Sequence, residues 1–345
     1  MAPATNSDVI DASSSGPFKQ VRSSKSAIPS VQEFEYSTAT VNDIVNALKI
    51  TGGVIVRNFL GREEIDRIME DVNPYLDADK PWADGKATQR LARFICVFDA
   101  LFSGDFFPQE TRRAYGMMGK SPTFATSIVG NPLWLSVSDA LLTSHIKYNW
   151  VGDKVEESTS LPQLHNTIVF RIGPGARAQP LHRDDAPHHP DHRAVAEHTL
   201  GRDCGIGLFV AGTRTTKANG ATRFIPGSHL WDYREGPPNE AQTVQAELNT
   251  GDAFMMLSGC FHGGSANTTE DEYRVLLSTF NCRGWLRQEE NQYLANSIDS
   301  VRGLPPALQE RMGYGLSKPF MGWVDLKSPM LMLHPDEPKY KMGLL

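Results

Sequence analysis

The sequence contains no run near the roughly 18 apolar residues that a helix needs to span a bilayer, so no membrane span is expected. It has no surplus of base either: 34 Lys and Arg face 40 Asp and Glu, a formal charge of −6. That balance argues against a nucleic-acid partner, because such proteins carry a basic excess. There is no Cys-x-x-Cys pair. Cys96, Cys204, Cys260 and Cys282 stand far apart and irregularly. This speaks against a thiolate zinc site and against a disulfide framework. The expectation is reduced, mostly buried thiols in a cytoplasmic protein. The first residues, "MAPATNSDVIDASSSG", lack the basic start and apolar stretch of a signal peptide, and "GLL" at the end is not the peroxisomal tripeptide. No internal repeat is present.

What the chain does have is length and apolar content: 345 residues, 40% hydrophobic, enough for one large core. Residues 1–28 are rich in Ser, Ala and Asp and predict a disordered tail. "TVND" at 40–43 has the form of a capping box, and Val41, Ile44, Val45 and Leu48 follow with helical spacing up to Gly52-Gly53. "VIVRNFL", 54–60, predicts a buried strand. Residues 63–72 predict a helix with Ile65, Ile68, Met69 and Val72 on one face, closed by Pro74. Beyond Leu161 the pattern changes to short β-branched and aromatic runs punctuated by Gly, Pro and Asn. These are "HNTIVFRIG", "CGIGLFVAG", "ATRFIPG", "DAFMMLSG" and "YRVLLSTFN". Such spacing predicts a β sandwich or barrel, here with helices packed on it. The division expected is a tail over 1–28, one domain over 29–300, and a Pro- and Met-rich extension over 301–345 serving as lid or dimer contact.

"QPLHRDDAPHHPDHR", 179–193, contains His-x-Asp twice, at His182/Asp184 and His189/Asp191; a third copy is His334/Asp336. On a strand, residues i and i+2 share a face. One such pair plus a distant histidine would make a two-His, one-carboxylate triad, which leaves open positions on iron and suits oxygenases. Pro187 and Pro190 argue that the second copy lies on a loop, since a sheet interior tolerates proline poorly. His188, His189, His192 and His198 are then expected as solvated loop residues. The third copy sits in a Pro-rich tail with no histidine after it. The first copy follows a strand and a Gly-Pro turn. Far downstream, "AFMML" leads to His262, and Gly263-Gly264 would let backbone pass close to a site. "YRVLLSTF" can return Arg274 beside His262, and its planar fork suits a carboxylate. Asp185 is expected on the opposite face from Asp184.

"QPLHRDD", "NGATRFIPGSHLW", "GDAFMMLSGCFHGGSANTT" and "EYRVLLSTFN", in this order, resemble the phytanoyl-CoA dioxygenase family of Fe(II)/2-oxoglutarate oxygenases. The likeness is strongest to its fungal branch, which tailors meroterpenoids and alkaloids, and runs from roughly residue 30 to 295. The resemblance implies a mainly β protein with flanking helices around a double-stranded β-helix, the cupin-like jelly roll. It implies His182, Asp184 and His262 as iron ligands, and Arg274, Thr222 and Gln179 as contacts for 2-oxoglutarate. Arg90, in "ATQRLAR", matches a further basic position, with Arg93 as its competitor. Ser228 and His229 would shape the turn after a strand, and His165 and Asn166 could face the cavity.

The activity implied is oxidation of a small apolar secondary metabolite. It consumes O2 and 2-oxoglutarate and begins with hydrogen abstraction; hydroxylation, desaturation and rearrangement all stay open. The resemblance also implies a homodimer. Two other readings share the scaffold, because a fold does not fix a function. One is a metal-dependent cupin-like isomerase or hydrolase, which has no need of Arg274 and Thr222. The other is a non-catalytic partner of an active homologue, which has no need of an intact triad.

Overall fold

In the computed structural model, which describes residues 28–79 and 107–341, the N-terminal part frames the sheet. Strand β1 (Gln32–Glu35) leads to helix α1 (Val41–Thr51). The expected capping box is present: Thr40 Oγ1 accepts from the Asp43 N–H at 3.2 Å, and Asp43 Oδ2 accepts from the Thr40 N–H at 3.1 Å. Each partner satisfies an amide that the first helical turn leaves orphaned. Gly52, at φ 76°, ends the helix in the left-handed region. Strand β2 (Gly53–Arg57) is shorter than expected. Asn58 turns to φ 55° and donates its N–H to Asp252 Oδ1 at 2.9 Å, which pulls the backbone out of the ladder.

Helix α2 (Arg62–Ala78) corrects a second expectation, because Pro74 lies inside it rather than closing it. An interior proline costs about 3 kcal/mol. The apolar stripe Ile65, Ile68, Val72 continues to Leu76, which is fully buried. Burying that leucine contributes about 1.5–3 kcal/mol, enough to offset most of the cost. A further helix, α3 (Pro132–Leu142), starts with Pro at its first position and Asn131 capping the Leu133 and Trp134 amides.

The remaining strands are β3 (Thr111–Tyr115), β4 (Ser144–Val151), β5 (Lys154–Ser160), β6 (Gln163–Ile172), β7 (Gly205–Ala211), β8 (Thr222–Phe224), β9 (Val244–Gln245), β10 (Ala253–Leu257), β11 (His262–Gly264) and β12 (Arg274–Cys282). Seven of the strands form one sheet in the order β1-β2-β10-β7-β12-β6-β3, and three form a smaller sheet, β11-β8-β9. Strands β7, β10 and β12 are buried on both faces, which explains their unbroken apolar runs. Alternation along β12 separates the two sides. Phe280 packs edge-on against Phe209 in the interior at 5.2 Å, and its neighbour Asn281 donates to Ser138 Oγ of α3 at 2.9 Å outside. The small sheet closes the other face, with Phe224 of β8 against Phe254 of β10 at 4.9 Å. Two sheets facing each other, with helices on the outer side of the larger, make the jelly roll. Among the described residues, no helix is long and apolar enough to cross a membrane.

Candidate metal centre

Strand β11 holds the site at the open edge of the small sheet. Its register against β8 sets His262 opposite Phe224 and Gly264 opposite Thr222. His182 joins it from the long segment after β6 through a single bridge: each of His182 and His262 donates its N–H to the other's carbonyl at 2.9 Å. No regular strand runs through His182-Arg183-Asp184, contrary to expectation. Instead the chain turns, and the Asp184 N–H donates to the Ser258 carbonyl at 3.0 Å. This turn, rather than strand alternation, aims the carboxylate at the two imidazoles.

The result is a tight cluster. Asp184 Oδ1 lies 3.5 Å from His182 Nε2, and Asp184 Oδ2 lies 3.3 Å from His262 Nε2. The two rings are 4.3 Å apart between centroids. Their other nitrogens decide the tautomer. His182 Nδ1 contacts the Pro180 carbonyl at 2.9 Å, and His262 Nδ1 contacts the Cys260 carbonyl at 3.2 Å. A carbonyl only accepts, so Nδ1 carries the proton in both rings and Nε2 presents its lone pair beside the carboxylate. This is how metal-ligating histidines are held. Burial pushes the His262 imidazole down to about 4, against the pull of Asp184, and so keeps it neutral. Burial pushes the Asp184 carboxyl up, but His262 and His182 outweigh it and bring it to about 2. Burial pushes the His182 imidazole down, but Asp184 beside it outweighs burial and raises it. Two imidazole nitrogens and one anionic oxygen suit a divalent ion with positions left open.

Beside the cluster, Arg274 begins β12 and is only 4% exposed. One of its terminal nitrogens donates to the Gly220 carbonyl, and its Nε is buried without a partner. Among the described residues no carboxylate pairs with it. Burial lowers the guanidinium to about 10, so it stays charged at neutral pH. An unpaired buried cation is costly and calls for an anion. Gln179 accepts the Gly264 N–H on Oε1 at 2.9 Å, which leaves its NH2 as a donor. A Cβ at Gly264 would come within 3.1 Å of Gln179 Oε1 and 3.5 Å of an Arg274 terminal nitrogen. Only glycine leaves that approach open. Thr222 is buried directly across from Gly264. His182, Asp184, His262, Arg274, Thr222 and Gln179 are therefore neighbours around one strand. Arg90 and Arg93 lie outside the described residues.

The other His-x-Asp copies are elsewhere. His189 ends a short 3-10 turn at φ 52°, and Asp191 is exposed and paired with Arg234. His334 contacts Gln309 Oε1 at 2.5 Å, away from the cluster. Ser228 and His229 do act in the turn: Ser228 Oγ donates to the Ile225 carbonyl at 2.7 Å, and His229 Nε2 contacts the Lys49 carbonyl at 3.2 Å.

Several loop residues correct the sequence reading. His198 is not solvated; its side chain is fully buried and 2.6 Å from Asp203. His188 packs on His165, with ring centroids 4.9 Å apart. Asp185 is 2% exposed and accepts from the Tyr233 hydroxyl at 2.6 Å. These three side chains turn inward because the segment folds over the sheet edge. Sequence also gave no signal for Glu289, whose backbone N–H donates to His165 Nδ1 at 3.0 Å.

The family model described as phytanoyl-CoA dioxygenase matches residues 49–275. The chain is 38% identical over 334 residues to Dioxygenase cnsJ of Penicillium expansum, covering 95% of this chain and 92% of that one. It is 39% identical over 303 residues to Dioxygenase peniF of Penicillium patulum, covering 87% and 91%. Among solved structures, the non-heme alpha ketoglutarate dependent carbocyclase SnoK from nogalamycin biosynthesis aligns with a TM-score of 0.47 at 13% identity, over 71% of this chain and 85% of that one. The matched span includes every strand from β2 to β11 and the first residues of β12; the chain belongs to the phytanoyl-CoA dioxygenase family.

Proposed function

We propose that this protein is an Fe(II)/2-oxoglutarate-dependent dioxygenase that oxidises a small apolar secondary metabolite. The observation that carries the reading is one juxtaposition. Two Nε2 lone pairs and a carboxylate converge on a point, and a buried arginine without a counter-charge stands beside them. His182, Asp184 and His262 would hold Fe(II), which, with 2-oxoglutarate and O2, supplies the oxidising power to take a hydrogen from the substrate.

The protein's own part is binding and orientation. Arg274 grips the distal carboxylate of 2-oxoglutarate, and Thr222 and Gln179 add hydrogen bonds from either side of Gly264. The carbonyls of Pro180 and Cys260 lock both imidazoles in the ligating tautomer. Phe209, 6.4 Å from the His262 ring, and Phe280 behind it line the inner side with aromatic surface and keep water from the reacting centre. That lining supports an apolar substrate, as pockets for small organic ligands are mostly apolar with a few polar anchors.

Fungal relatives named dioxygenases over nearly the whole chain support the same reading. The extension beyond residue 300 exposes Phe320, Met321, Trp323 and Leu326, which supports its use as a homodimer contact. Anaerobic addition of Fe(II) and 2-oxoglutarate to the purified protein should produce a weak visible charge-transfer band. Admission of O2 should convert 2-oxoglutarate to succinate, faster with an apolar polycyclic substrate present. Neither band nor succinate would appear from a non-catalytic homologue.

A further inference from the structure

Among the described residues, three groups of side chains bring metal-ligating atoms within 4.8 Å of one another. One is the cluster already described. The second, His165, His188 and Cys282, is argued against by its own hydrogen bonds. The Glu289 N–H occupies His165 Nδ1 as acceptor, so the proton of the neutral ring sits on Nε2 and no lone pair faces the group. The third is Asp185, His192 and Cys204, and it passes the same test. His192 Nε2 is buried with no hydrogen-bond partner.

We infer that Asp185, His192 and Cys204 form a second metal site, built for a zinc-like divalent cation. Asp185 is 2% exposed; the Tyr233 hydroxyl takes its Oδ2, and its Oδ1 is buried without a partner. Asp185 Oδ1 and His192 Nε2 are thus two buried polar atoms without a partner in one small space. Leaving either unpaired in the interior is costly. A cation between them resolves both. The thiol of Cys204 as third ligand selects a borderline-soft ion such as zinc over magnesium or calcium. Zinc bond lengths set tetrahedral ligand atoms about 3.4–3.6 Å apart, so the group needs to contract by about 1 Å.

The surroundings fit. Tyr233 steadies the carboxylate, an outer contact of the kind that metal ligands ordinarily have. Arg183 is held between the Tyr233 and Phe261 rings at 3.9 and 3.7 Å. A dication with one carboxylate and one thiolate is neutral, so that arginine is no barrier. A pocket of about 320 Å3, lined by Arg183, Asp185, His189, Tyr233 and Phe261, reaches Asp185 from outside and provides a route for the ion.

The site would also answer a structural need. Between Ile172 and Gly205 the only helix or strand of more than a single bridge is the three-residue turn Ala186–His188. So long a connection without its own structure is uncommon in a compact domain. An ion bound to Asp185, His192 and Cys204 ties the turn after Asp184, the middle of the segment and the foot of β7 to one point. The spacing along the chain hides it, since the three ligands come from no short motif.

The test is a titration of the metal-stripped, full-length protein with Co2+, kept anaerobic. Two equivalents should bind. One should bring near-ultraviolet thiolate-to-cobalt absorption, which His182, Asp184 and His262 cannot produce because they include no sulfur. Cys204→Ser should lose that absorption and one equivalent, and keep the other. His182→Ala should keep the absorption and lose the other equivalent. His192→Gln is the second variant in case Cys204→Ser does not fold. A wild-type protein that lacks the sulfur band overturns the inference and assigns a bridging water to Asp185 and His192; a single equivalent that carries the band keeps it and removes the metal from His182, Asp184 and His262 instead. A band that survives Cys204→Ser unchanged overturns it too. None of these outcomes depends on the oxygenase reading.

Discussion

Replacing Arg274 with alanine isolates the proposed co-substrate contact from the metal. In the structure the guanidinium is buried, charged at neutral pH and without a carboxylate partner among the described residues. If it grips 2-oxoglutarate, its loss leaves a carboxylate facing a buried wall with no counter-charge. Breaking a buried pair in this way costs about 3–5 kcal/mol. The lower end of that range corresponds to roughly a hundredfold weaker 2-oxoglutarate binding at about 1.4 kcal/mol per tenfold. Arg274→Lys keeps the charge but loses the planar fork and should fall between, about tenfold weaker. Fe(II) affinity should change by less than about threefold in both, because Arg274 touches none of the three proposed ligands and a lost contact at this distance transmits little. The assay is anaerobic titration of the visible band with 2-oxoglutarate at saturating Fe(II), alongside direct Fe(II) binding. Arg274→Ala also strips the Gly220 carbonyl of its donor, so a thermal melt must show the variant folded. A folded Arg274→Ala protein whose 2-oxoglutarate affinity matches wild type within twofold refutes the assignment.

His182→Ala, Asp184→Ala and His262→Ala should each abolish succinate formation and bound Fe(II). The double variant His189→Ala, Asp191→Ala should keep both, since Asp191 pairs with Arg234 at the exposed surface, where an ion pair is worth little; iron analysis of the purified variants decides. Gly264→Ala places a methyl 3.1 Å from Gln179 Oε1 and should raise the KM for 2-oxoglutarate about tenfold, the worth of a displaced hydrogen bond, with Fe(II) binding unchanged. An unaltered KM would mean that the backbone there does not approach the co-substrate. Burial pushes His165 and His229 down to about 4 from an ordinary 6.5. The unfolded chain therefore takes up their protons first as pH falls. Their stabilisation is complete above pH 6.5 and is lost between 6.5 and 4, roughly 3 kcal/mol for each. Urea midpoints should drop accordingly between pH 7 and 4.5, and equal midpoints would contradict the burial argument.

The elements legible in the sequence are those whose cause is local. Thr40 and Asp43 announce the start of α1, and Gly52 its end, because caps and a left-handed turn depend on neighbours in the chain. The apolar runs of β7, β10 and β12 declare buried strands. Pro187 and Pro190 keep the second His-x-Asp copy out of any sheet, and the structure finds it on a loop. Tertiary structure decided what depends on distant atoms. Pro74 stays inside α2 because Leu76 is buried against the core. Asp184 reaches the two imidazoles through a turn tied to the Ser258 carbonyl, not through strand alternation. Asp185 is interior because the segment before β7 folds over the sheet edge and finds Tyr233 there. Polarity alone assigns such residues to water; a partner many positions away lets them leave it, and only the folded chain says where that partner stands.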